Sequence, residues 1–186
     1  IGFSPEHSGF QGTITLSSGL LTSMIVEIGK QISNIGFKRL ILLNAHGGQI
    51  SLLNTAAREL RSVTPNLNVF PCFLWSGVKG LDKVLTKSEL ENGLHASLAE
   101  TSLMMSLKPQ LVGEERPCEG IPKNTPNGWS LEGDAPTAWF TEDISESGVI
   151  GDSRGANLEL GNKLKKLLID HWYELIIGLM SSDWPS

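Results

Sequence analysis

The chain has 186 residues, 40% hydrophobic and 19% charged, the balance of one globular domain with room for a real core. Its net charge of −5, with no basic run, excludes nucleic acid or an anionic membrane as the main partner. It contains no apolar stretch of bilayer-spanning length and nothing that reads as a signal peptide. Cys72 and Cys118 are far apart and form no metal-spaced pair, so a cytoplasmic location with reduced thiols is expected.

In chain order, residues 12–16 form a short β-like segment, and Ser17 or Ser18 is placed to cap a helix. That helix carries Leu21, Met24 or Ile25, Ile28 and Ile32 at helical spacing and ends near residues 34–36. Four apolar residues, Leu40, Ile41, Leu42 and Leu43, then read as a strand buried on both faces. A polar turn with Asn44, His46, Gly47 and Gly48 follows, and then a helix over Ile50–Val63 with Leu52, Leu53, Ala56, Ala57 and Leu60 on one face. Residues 68–75 form a second strand, which Pro71 assigns to an edge or a bulge. Strand, helix, strand in this order predicts parallel pairing through a right-handed crossover.

Further on, a short helix is expected around residues 87–91, and a second over the segment from His95 to Met105, stopped before Pro109. Residues 109–153 are rich in Pro, Gly, Ser and acidic residues, with Trp129 and Trp139 embedded. A segment this long reads as a lid, a binding loop or an oligomer arm, with disorder as the rival, and the tryptophans suggest docking. Residues 154–180 complete the chain as a long helix with Leu158, Leu164, Leu167, Leu168, Trp172, Leu175 and Ile176 as its expected buried stripe.

Several residues have the chemistry of a site. His46 sits just past the carboxyl end of a strand, where ligands bind in sheets of this kind. It reads either as a functional histidine or as a turn histidine bonded to a carbonyl. His95 and Glu100, five apart, are about 500° apart on a helix at 3.6 residues per turn, so they share no face of a helix body. They converge only if His95 belongs to the preceding turn. Each also has a plainer reading, Glu100 as a solvated helix residue and His95 as a cap. Glu6 and His7 are adjacent, and in extended chain they would point opposite ways, so they are not expected to share one metal. His171, beside Trp172, reads as structural. No nucleophile elbow, phosphate loop or H-E-x-x-H zinc motif is present.

Four segments taken in order resemble the creatininase (creatinine amidohydrolase) family. Gly2-Phe3-Ser4-Pro5-Glu6-His7, followed by Phe10-Gln11-Gly12-Thr13-Ile14, is similar to G-x-S-x-E-H-x-x-F-P-G-T-I, with Gln11 in place of the proline. Asn44-Ala45-His46-Gly47-Gly48-Gln49 is similar to N-G-H-G-G-N, departing at Ala45 and Gln49. The segment from His95 to Ser102 resembles H-A-G-x-x-E-T-S, departing at Ser97. Gly148 to Asp152, with Gly161 after it, resembles the family's late glycine segment.

The resemblance implies a three-layer α/β/α sandwich with a mostly parallel sheet, forming one creatininase-like domain over residues 1–186, within which residues 109–153 are the long loop or lid read above. It implies a metal-dependent amidohydrolase acting on a cyclic amide or related C–N bond other than a peptide bond, and a homo-oligomer with a small-molecule amide as substrate. By the same resemblance, His46 and Glu100 are metal ligands and His95 and Glu100 carry catalysis, with Zn, Mn or Fe as the divalent ion. In creatininase proper a ligand glutamate follows two residues after the metal histidine. Here Gly48 stands there, which implies a different centre and a substrate other than creatinine. The family's upstream E-x-H and Asp ligands have no counterpart, and the opening Ile1 is not an initiator Met. The expectation is therefore an N-terminally incomplete chain with an under-ligated, inactive centre, or, alternatively, a non-catalytic α/β binding or assembly module that lost its metal.

Overall fold

The computed structural model describes residues 2–185. Its contacts divide the chain into two compact units, one reaching to Gly77 and taking in the residues from Ser182 on, the other Val78–Ser181.

In the first unit α1 spans Ser18–Ile35. The Ser17 side chain accepts the Leu20 N–H at the start of α1, and Gly36, at φ +103°, ends it in the left-handed conformation that favours glycine. Strand β1 is Arg39–Asn44, helix α2 is Ile50–Val63 and strand β2 is Asn68–Phe73. The strands pair in parallel, with Arg39 opposite Asn68 and Asn44 opposite Phe73, which makes the expected βαβ unit. Pro71 sits within β2 opposite Leu42, and among the described residues β2 has no second neighbour, so the missing N–H costs no ladder bond. Leu53, Ala56, Ala57 and Leu60 are the buried face of α2. Gly29 of α1 lies against Leu60 so closely that a Cβ there would be 2.2 Å from Leu60 Cδ2. Helix α1 shows a second apolar stripe to solvent, with Leu20, Met24, Ile28 and Ile35 all exposed.

The second unit contains α3 (Lys87–Asn92), α4 (Leu98–Leu107), β3 (Cys118–Glu119), β4 (Gly151–Asp152) and α5 (Leu158–Met180). Strands β3 and β4 are antiparallel. Helix α5 packs on α4 backbone to backbone: a Cβ at Gly161 would lie 1.9 Å from the Ser102 carbonyl oxygen. Of the expected buried stripe of α5, Leu164 and Leu168 are buried, whereas Leu158, at the first position of the helix, and Leu175 and Ile176, toward its end, are exposed. Length explains the exposure toward the end: the ten residues of α4 span about 15 Å and the 23 of α5 about 35 Å, so much of α5 has no helix of this unit alongside it. Residues 109–153 are tied down at buried Thr141 and Ile150, while Trp129 is 60% exposed and Trp139 is half-buried.

Candidate metal centre

The turn after β1 is built on Asn44. Its buried side chain accepts the His46 N–H at 2.9 Å and donates to the His46 carbonyl at 2.7 Å, which fixes His46 in an extended conformation at the strand end. Gln49 donates to the same Asn44 oxygen at 2.8 Å and accepts the Phe3 N–H at 3.0 Å. Gln49 thereby ties the amino-terminal segment to the turn. Thr15 holds the other side, its hydroxyl accepting the Ser4 N–H at 2.9 Å.

Between these anchors Pro5–His7 forms a 3-10 turn, with the His7 N–H donating to Ser4 O at 3.2 Å. This corrects the expectation for Glu6 and His7. The segment is not extended, because proline at the head of the turn sets φ near the helical value. Adjacent side chains then diverge by much less than in a strand, and both reach the same place. Glu6, His7 and His46 each offer a ligand atom, and these atoms all lie within 4.8 Å of one another. His46 Nε2 is 2.8 Å and His7 Nε2 3.8 Å from Glu6 Oε1. The His7 and His46 rings are tilted at 56° with centroids 5.6 Å apart. The Glu6 and His7 side chains are only 12% and 11% exposed.

The donor set suits a divalent cation. Glu6 Oε1 and His46 Nε2 are buried and neither has a hydrogen-bond partner, although they approach to 2.8 Å. Close approach without hydrogen-bond alignment is what two ligand atoms aimed at a third body would show. Two imidazoles and a carboxylate match the three-ligand sets of catalytic zinc sites. The expected shortage of ligands rested on the absent upstream E-x-H and Asp and counted neither Glu6 nor His7, whose side chains the turn brings to His46.

His95, Glu100 and their supports belong to the second unit. His95 exchanges two backbone hydrogen bonds with Ile150, of 2.8 and 3.2 Å, so it precedes α4 in a strand-like bridge. Glu100 lies in the first turn of α4, and its Oε2 accepts the Ala96 N–H at 2.7 Å. That contact, with the Thr101 hydroxyl donating to the Ala96 carbonyl at 2.8 Å, holds Ala96 at φ +49°, a conformation uncommon outside glycine. The carboxylate of Glu100 therefore comes beside the residue that follows His95, as the turn-then-helix arrangement requires.

Sequence reasoning did not single out Glu89. It is buried, and its carboxylate accepts the Ser97 hydroxyl at 2.6 Å and the Ala99 N–H at 2.8 Å, capping α4 from outside. The Ser97 oxygen in turn accepts the Asp152 N–H at 3.0 Å. Thr86-x-x-Glu89 is a capping-box pattern, and Thr86 does accept the Glu89 N–H, but the glutamate side chain is turned away to the next helix.

A 29% identity over 177 residues relates the chain to a mycofactocin precursor peptide peptidase of Mycobacterium tuberculosis, covering 91% of this chain and 59% of that protein. It is also 29% identical over 128 residues to a creatinine amidohydrolase of Pseudomonas putida, covering 63% of this chain and 48% of that one. The chain thus spans about 59% of the length of the mycofactocin peptidase. In fold it matches a Bacteroides fragilis protein described as a candidate creatinine amidohydrolase, with a TM-score of 0.80 at 20% identity over 100% of this chain and 71% of that one. Solved creatininase structures include a mutant enzyme of zinc–zinc type and a manganese form. The sequence profile described as creatinine amidohydrolase matches residues 1–176, and the chain belongs to the creatininase family, with its α/β fold.

Proposed function

We propose that this chain carries the metal centre of a hydrolase acting on an amide C–N bond, with Glu6, His7 and His46 holding a divalent cation. The observation that carries the reading is the convergence of these three side chains, with two buried ligand atoms lacking hydrogen-bond partners. Zinc, manganese or iron suits two imidazoles and a carboxylate. The ion would polarise a carbonyl oxygen and acidify a coordinated water. The Glu6 carboxylate offsets the cation's charge, and the Asn44 bonds hold His46 so that little of its freedom remains to be lost on binding. On the family pattern alone, His95 is the residue that passes a proton to the leaving nitrogen. Glu100 acts beside it by holding the Ala96 turn. Its further place in the metal shell is part of the same proposal.

The substrate is a small amide. The family resemblance favours a cyclic amide, and the likeness to a peptide peptidase makes a short peptide the competing substrate. The protein is proposed to work as a homo-oligomer, supported by the exposed apolar stripe of α1.

The test is zinc content after dialysis, alongside hydrolysis of a panel of cyclic amides, formamides and short peptides. The expected result is one tightly held ion, lost in His46→Ala and in Glu6→Ala, with His95→Ala keeping the metal and slowing turnover. A wild-type protein that takes up no divalent metal would leave the non-catalytic module as the better reading.

A further inference from the structure

Gly48 lies in the turn between His46 and α2, and its backbone does not adopt the left-handed conformation that calls for glycine. Volume calls for it instead. A Cβ at position 48 would lie 2.0 Å from Glu6 Oε1, 2.9 Å from Glu6 Cδ and 2.8 Å from His46 Nε2. Non-bonded atoms settle at about 3.5 Å, so a methyl group and the Glu6 carboxylate cannot share this space. The atoms in the way are the far ends of two side chains, and none is backbone. The neighbouring Gly47 has nothing within 4 Å of a built Cβ.

We propose that Gly48 is a specificity-determining residue of the metal centre: its missing side chain is the space in which the Glu6 carboxylate sits, so positions 6 and 48 exclude one another. The inference rests on the metal assignment above. A side chain at 48 leaves the turn intact and expels Glu6 from the ligand set. Glycine at 48 therefore decides that the carboxylate of this centre comes from the amino-terminal turn. Any relative with a side chain at this position must take its carboxylate from elsewhere, and the two kinds of centre would differ in ligand geometry and metal preference.

The test is a double-mutant cycle on zinc affinity, measured by competition with a chromogenic chelator. It uses the wild type, Glu6→Ala, Gly48→Ala and the double variant, with Gly47→Ala as control. Loss of an outer-shell partner already costs ~10–100-fold in metal affinity. Glu6→Ala and Gly48→Ala are each expected to weaken zinc by about 100-fold or more. The two losses should combine to much less than their product, because both changes remove the same ligand, and any loss beyond that of Glu6→Ala reads the 2.8 Å approach of the new Cβ to His46 Nε2. Gly47→Ala should bind as the wild type does. Additive losses in the double variant, or wild-type affinity in Gly48→Ala, overturn the proposal.

A crystal structure of metal-free Gly48→Ala separates this outcome from failure of the metal assignment. If the wild type takes up no zinc, that assignment falls. A Glu6 carboxylate displaced from His46 in the variant would still support the exclusion, and one remaining within ~3 Å would overturn it. If Gly48→Ala does not fold, rescue by Glu6→Ala supports the exclusion and failure to rescue overturns it.

Discussion

Glu89 is the most informative single perturbation of the second unit. Its carboxylate is buried and accepts two hydrogen bonds, from the Ser97 hydroxyl at 2.6 Å and from the Ala99 N–H at 2.8 Å. Ser97 occupies the N-cap of α4 but makes no side-chain cap bond, so the end of the helix depends on Glu89. The space around it is closed: a Cβ at Gly93 would lie 2.5 Å from Glu89 Cδ. Glu89→Gln keeps the shape and one acceptor. It loses the charge, which roughly halves each bond from ~1.5–3 kcal/mol, and it loses the carboxylate's interaction with the helix dipole, ~0.3–1 kcal/mol. The amide nitrogen also meets a Ser97 oxygen that already accepts the Asp152 N–H. The expected cost is about 2 kcal/mol for Glu89→Gln. Glu89→Ala, which leaves the Ser97 hydroxyl and the Ala99 N–H unpaired next to a void, should cost about 3–4 kcal/mol. Urea denaturation followed by circular dichroism reads both as a lowered midpoint at unchanged slope. A Glu89→Gln protein within ~0.5 kcal/mol of wild type would refute the reasoning, since changes at sites without such features fall in that range.

Three further outcomes are expected. Four hydrogen bonds to Glu119 Oε2, led by that of the Ser147 N–H and including the Ser145 and Ser147 hydroxyls, lower its pKa from 4.5 to about 2. A depressed pKa means that this anchoring is present above pH 4.5 and fades as pH falls toward 2, so amide-exchange protection of Ser147 should drop across that window, and Glu119→Gln should abolish the pH dependence. Gly29→Ala, though alanine is the better helix former by ~1 kcal/mol, should destabilise by about 1–2 kcal/mol because Leu60 is fully buried and cannot yield, and a raised unfolding midpoint would contradict this. Charged residues at Met24 and Ile28 should dissociate the proposed homo-oligomer in light scattering, and a wild-type monomer at high concentration would sink that proposal.

Local pattern determined much of this protein. The Ile50–Val63 helix, the cap at Ser17 and the Gly36 stop follow from side-chain spacing and from the conformations that serine and glycine favour. Parallel pairing of β1 with β2 follows from the order of elements, because a helix between two strands returns the chain in the same direction. His46 was legible as a candidate from its place beyond a strand end. The fate of Glu6 and His7 was not, since it turns on whether three residues coil or extend. Pro5 was the local signal, but it is tertiary bonds, between Gln49 and Phe3 and between Thr15 and Ser4 among them, that hold that turn beside His46. Burial along α5 and the diversion of Glu89 to another helix likewise depend on which partner lies alongside. A sequence states what a residue prefers to do with its neighbours in the chain, whereas burial and ligand convergence are settled by contacts between separate elements, such as those of Glu89 with Ser97 and of Phe3 with Gln49.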